Sequence, residues 1–250
     1  MKWHLTVAVN HKKSFKPIRH KDGLITIGSC FSEHIGQHLQ QAMFNVVQNP
    51  FGILYNPQSI QKALQRILDK QLYKNEEITL ENGRYFSFDH HTSFSSTNKE
   101  VVVTNINNAL VAAHHHLKTA STIIITFGTV FYYKLASNNE VVGNCHKLPA
   151  KQFSLHQDSS ANIQQSFNQI LQKLKQLNKN IQVIFTVSPV RHWKNGAADN
   201  NWSKAILIDA VRSLEDYNDN VHYFPSYEIM MDELRDYRFY NEDMLHPNKQ

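Results

Sequence analysis

Cysteine is scarce. Only Cys30 and Cys145 occur among 250 residues, so no disulfide framework holds the fold, and without a CxxC pair the usual zinc and thioredoxin-like chemistries are not expected. A reducing compartment, the cytoplasm, is the expected location. Long apolar runs are also lacking. Stretches such as Ile123-Ile124-Ile125 are strand-sized, far below the roughly 20 residues that span a bilayer. The opening Met1-Lys2-Trp3-His4-Leu5 is too poor in apolar residues for a secretory leader, and no membrane partner is expected. Neither a GxxxxGK motif nor GxGxxG follows any predicted strand, which argues against phosphate-loop chemistry. The excess of positive charge is mild, +5, and gathers early at Lys12, Lys13, Lys16, Arg19 and Lys21. With only Phe15 interleaved it reads as a solvated face, and no nucleic-acid partner is expected.

What is present suits one ordinary core: 41% of residues are hydrophobic and 19% charged, and a chain of this length fits one domain with an insertion. Leu24 to Ile27 is a β-branched run between Gly23 and Gly28, followed by apolar residues at helical period through Ile35, Leu39, Ala42 and Met43, which predicts strand, tight turn, helix. A second strand is expected at 44–47, and Asn56-Pro57 marks the start of a helix running to about Lys70. Residues 73–100 break the rhythm and read as an inserted loop or hairpin. Beyond them the pattern predicts a helix over about 105–118, a strand over 122–127, an irregular segment, and a helix carrying Ile163 to Leu177. A strand over 181–187, a helix over about 202–214 and a last strand near 221–224 follow. Strands alternating with amphipathic helices imply a mainly parallel five-stranded sheet in a three-layer αβα sandwich. No internal repeat is apparent.

In such a sheet, chemistry collects at the carboxyl ends of the strands. Ser29 stands there, immediately after the first strand, where the free amides and positive dipole end of a helix would stabilise an oxyanion. A small residue allowing a tight turn is the competing explanation. Near the other end, Asp243 and His246 are three apart, a spacing that lets the carboxylate hold the imidazole and leave its second nitrogen facing a nucleophile; an exposed acid and histidine before Pro247 would look the same. The fifteen histidines do not converge on a metal site: His34 and His38 lack the glutamate of HExxH, and His114 to His116 point in different directions around a helix. No metal or other cofactor is expected.

Gly28-Ser29-Cys30-Phe31-Ser32 resembles the signature of the GSCFA family, within the wider SGNH/GDSL hydrolase superfamily. Asn49-Pro50-Phe51-Gly52, Phe127-Gly128-Thr129, Asn144-Cys145-His146-Lys147, Ser188-Pro189-Val190-Arg191-His192 and Asp243-Met244-Leu245-His246-Pro247 resemble that family's pattern in order, from about residue 22 onward. The resemblance implies ester-type acyl hydrolysis on a flavodoxin-like αβα fold, with Ser29 as nucleophile, His246 as general base and then acid, and Asp243 orienting the imidazole. It also implies an oxyanion hole to which Gly52 would contribute its amide.

Two departures follow. Val130 stands where a Gly-x-Asn pattern would put asparagine, so Thr129 or Asn144 would have to supply the donor, and losing one such donor costs on the order of 10²–10³ in rate. Pro247 would begin a closing helix, which the expectation treats as missing because the chain stops at Gln250. The expected substrate is a small acyl ester, an O-acetylated carbohydrate among the candidates; the alternative is a weakly catalytic or inactive module binding the same ligand. His192, at a strand end, either contacts substrate or orders its loop. Cys30 is expected to point inward, and Cys145 to serve a redox or substrate-contact role if any.

Overall fold

The computed structural model describes residues 8–9 and 15–248. Lys12 and Lys13 of the basic run, the opening Met1 to Leu5 and the place expected for a closing helix lie outside the described residues, apart from Pro247 and Asn248. In chain order the elements are β1 (Gly23–Gly28), α1 (Cys30–Gln41), β2 (Asn45–Gln48), α2 (Pro57–Leu68), β3 (Thr79–Glu81), β4 (Arg84–Phe86), α3 (Lys99–Leu117), β5 (Thr122–Phe127), β6 (Phe131–Leu135), β7 (Val141–Val142), β8 (Phe153–Gln157), α4 (Ser160–Leu177), β9 (Gln182–Val187), α5 (Gly196–Asp216) and β10 (Val221–Phe224).

Five strands form a wholly parallel sheet in the order β10-β9-β5-β1-β2. The period-2 alternation of β1, β5 and β9 sends Ile25, Ile27, Ile123, Ile125, Phe127, Val183, Phe185 and Val187 into one core with the apolar stripes of α2, α3, α4 and α5. Right-handed crossovers put those helices on one face and leave α1 on the other, where it packs on β1, β2 and β5. Thr26, Ile124, Thr126, Ile184 and Thr186 point to that second face and border a mostly apolar cavity of about 260 Å³ under Phe31, Ile35 and Leu39 of α1.

Caps explain where the helices begin. Asn56 accepts the Ser59 amide at 2.8 Å with Pro57 in the first turn, as the Asn-Pro signal predicts. The third helix starts at Lys99 instead of 105, because Asn98 caps it through the Val101 amide. The fifth starts at Gly196 instead of about 202, its early turns burying Asn200, Ser203 and Lys204, polar residues that hid the helical period. The segment expected to be irregular folds into the small antiparallel sheet β7-β6-β8. The stretch over 73–100 carries the β3-β4 hairpin.

This strand order reverses direction between β1 and β5, and the loops leaving those two strands diverge and open a crevice. Ser29 follows β1 and Gly128 follows β5.

Candidate active site

Gly28 has φ +146, and a Cβ there would fall 2.2 Å from the Thr126 carbonyl oxygen, so only glycine lets β1 turn this sharply into α1. The next residue, Ser29, is the N-cap of α1, yet its side chain makes no capping bond. It is 1% exposed, and its Oγ is buried with no hydrogen-bond partner. Leaving a buried hydroxyl unpaired costs about 1–3 kcal/mol, so this group stands at the positive end of a helix with its bonding capacity unspent. Beside it, Asn49 accepts the Gly28 amide through Oδ1 at 3.0 Å, and its Nδ2 is a second buried donor without a partner.

The other half is built from irregular chain. Asp243 Oδ1 accepts the amides of Leu245 at 2.9 Å and His246 at 3.0 Å, and its Oδ2 lies 2.6 Å from His246 Nδ1. The His246 amide, the Leu245 amide and then the imidazole hold the Asp243 carboxyl down to about 2. An ionised acceptor on Nδ1 fixes the proton there and leaves Nε2 free to take another. The loop is tied down by the Arg191 amide to Leu245 O at 3.3 Å, by the Asn241 amide to His246 O at 2.8 Å, and by a bridge between Tyr240 and Pro247.

Ser29 and His246 line one cavity of about 270 Å³, together with Cys30, Tyr55, Gly128 and His192. The acid–imidazole bond is made; the imidazole–hydroxyl bond is not, since Ser29 Oγ has no partner. His192 is on the wall, its amide donating to Asn200 Oδ1 at 2.9 Å. Burial, then the charges of Lys204 and Lys194, push its imidazole below the ordinary range.

The three expected oxyanion donors bond to other partners or lie off this cavity. Gly52 is not on the cavity wall; its amide closes a tight turn onto Asn49 O at 2.7 Å, and its φ of +74 with His91 close by explains the glycine. The Thr129 hydroxyl faces α5, 3.3 Å from Ser203 Oγ, while the amides of Gly128 and Thr129 both donate to Tyr55 O at 2.8 and 3.1 Å. Asn144 Oδ1 accepts the His146 amide at 2.8 Å, and Asn144 also lies off this cavity. Backbone bonds of this kind leave no trace in a residue pattern. Burial raises both thiols, Cys30 and Cys145, above the ordinary range, so neither is a ready thiolate. Among the described residues no three His, Cys, Asp or Glu side chains gather as a metal site.

Sequence reasoning also missed a residue, Lys204. It is 1% exposed, and its Nζ donates to Gly128 O and Ser188 O, both at 2.7 Å. Burial pulls its ammonium down to about 7. At the preceding residue, Ser203 Oγ accepts the Val130 amide at 2.9 Å. The first turns of α5 therefore pin the loops after β5 and β9 to each other. The signal was available: extending the buried face of Leu207, Ala210, Val211 and Leu214 backward at helical period reaches 204, 203 and 200.

Comparison with known proteins adds a family. The model of the GSCFA family matches residues 23–250, and the chain belongs to that family. No curated protein matches the sequence. Among solved structures the chain is similar to an acetyl xylan esterase (Est2A) from the rumen bacterium Butyrivibrio proteoclasticus, at 10% identity and a TM-score of 0.37, over 84% of this chain and 56% of that one. The chain thus spans little more than half the length of that esterase.

Proposed function

We propose that this member of the GSCFA family is a serine-dependent hydrolase of carboxylic esters, with Ser29 as nucleophile, His246 as base and Asp243 as the group that holds the imidazole. One observation carries the reading: a buried hydroxyl with no partner, at a helix N-terminus, opens onto the same cavity as a preformed carboxylate–imidazole pair. Substrate binding brings Nε2 within reach of Oγ, a contact commonly long in unliganded sites. Ser29 Oγ then attacks the carbonyl carbon while His246 takes the proton, and His246 returns it to the departing alcohol; water, activated by the same imidazole, releases the acid. The first-turn amides of α1, at the N-terminus that Ser29 caps, are the donors left for the oxyanion. Small acyl esters, O-acetylated carbohydrates among them, are the substrate class this cavity volume suits.

A second reading, a binding module with little turnover, is favoured by the open Ser29–His246 contact and by the absence of Gly52, Thr129 and Asn144 from the cavity wall. Labelling with a fluorophosphonate probe and hydrolysis of p-nitrophenyl acetate separate the two. The hydrolase reading expects Ser29→Ala to lose labelling and roughly 10⁴-fold or more of turnover. Equal labelling of the variant removes it, and absent turnover with retained ligand binding favours the module.

A further inference from the structure

The loop after β9 carries a cation that the proposed chemistry does not use. Arg191 lies on the wall of the cavity holding Ser29 and His246, and equally on the wall of a second cavity of about 270 Å³ bordered by Met231, Arg235, Tyr237, Tyr240 and Met244. Its backbone is bonded to Leu245, so the loop that carries the acid–imidazole pair also positions this guanidinium. Among the described residues Arg191 forms no ion pair. Its Nε is buried without a hydrogen-bond partner, its guanidinium carbon lies 5.7 Å from the centroid of the Trp193 ring, and a terminal nitrogen donates to the thioether sulfur of Met231 at 3.6 Å, a weak acceptor. A guanidinium offers five donors in a fork that matches a carboxylate or phosphate.

The other charged groups of the second cavity are already engaged. Arg235 pairs with Asp232 at 3.0 Å, and Asp236 binds the Arg238 amide at 3.0 Å and its side chain at 3.6 Å. The exposed ring of Tyr237 offers a flat apolar face of the kind on which a sugar ring stacks.

We propose that Arg191 binds an anionic group on the alcohol portion of the substrate, so that the site prefers acyl esters of acidic sugars over those of neutral ones. Which bond is cut rests on the ester-hydrolase reading; the anion site itself does not.

Binding is measured by calorimetry on the Ser29→Ala protein with methyl glucuronoside and methyl glucoside, which differ in the carboxylate, and with inorganic phosphate as a separate arm. The glucuronoside is expected to bind about tenfold or more tightly than the glucoside. Adding Arg191→Met abolishes that preference, and Arg191→Lys, which keeps the charge but not the fork, retains part of it and serves if the methionine variant fails to fold. Phosphate binding more tightly than the glucuronoside, with the same dependence on Arg191, assigns the anion to a phosphate group. Equal affinity for the two glycosides with no phosphate binding, or a preference unchanged by both Arg191 variants, overturns the proposal. Acetylated forms of the two glycosides, given to the wild-type protein, separate the two readings. Anion binding that depends on Arg191 without hydrolysis of either ester removes the hydrolase alone, whereas hydrolysis of both at equal kcat/KM without anion binding removes the anion site alone.

Discussion

Ser29 is 1% exposed and stands where a six-residue parallel strand turns into a helix, whereas the side chains of Asp243 and His246 are 47% and 38% exposed on irregular chain. The first position is dictated by the sheet: β1 is paired on both sides, and the turn after it admits no Cβ. The second is dictated by hydrogen bonds within a few residues and one to the neighbouring loop. A hydroxyl locked into the scaffold cannot adjust, so under the proposed function the movement that would close the Ser29–His246 contact belongs to the 243–246 loop. The division also predicts that damage to the two halves will look different.

The largest effect is expected from Gly28→Ala. With a Cβ 2.2 Å from a backbone oxygen and φ +146, the turn must shift, at a cost of about 3 kcal/mol or more. Thermal unfolding should record the loss, together with loss of the proposed esterase activity; a variant that melts like the wild type would show that the turn is not locked. Asp243→Asn sharpens the contrast from the other side. An exposed carboxylate on a local loop contributes to orientation rather than to the core, so turnover should fall by roughly 10³–10⁴ while the melting temperature stays near that of the wild type. A large fall in melting temperature would mean that the loop is part of the scaffold after all.

Lys204 connects the two regimes, because α5 braces the loops that flank the cleft. Its ammonium is pulled by burial from 10.5 to about 7, so between those values the unfolded chain binds more protons than the folded one. Stability should therefore rise as pH increases from about 7 towards 10.5, by at most about 1.4 kcal/mol per pH unit. Lys204→Met should remove that slope in melts recorded across the same range, even though it also lowers stability by leaving two carbonyls unpaired. An unchanged slope would assign the pH dependence to other groups.

The strand–helix alternation was legible because β-branched runs and 3.6-residue periods are written directly in residue order, and Asn56-Pro57 announced its helix through capping chemistry. Ser29 and the Asp243–His246 pair were legible for a similar reason: each is a short local arrangement, and the Asp–His contact forms within one turn. The failures have a common physical cause. Gly52, Thr129 and Asn144 are polar groups in the right neighbourhood, but their donors were claimed by Asn49, Tyr55 and Ser203, or lie off the cleft, partnerships that only the folded chain reveals. Lys204 was overlooked because a lysine on a helix is ordinarily solvated, and it is buried here only because two strand-end carbonyls converge on it. β6, β7 and β8 were overlooked because short, half-exposed strands carry little alternation.

The order in which the chain is synthesised gives this arrangement a consequence. The strand that presents the hydroxyl lies in the interior of the sheet although it is the earliest of the five in sequence, and the imidazole that would activate it follows the latest of them. A chain that had formed its parallel core without residues 243–246 would, under the proposed function, hold an inert alcohol. Reactivity towards esters would then begin only when the Asp243–His246 loop docks beside the strand ends.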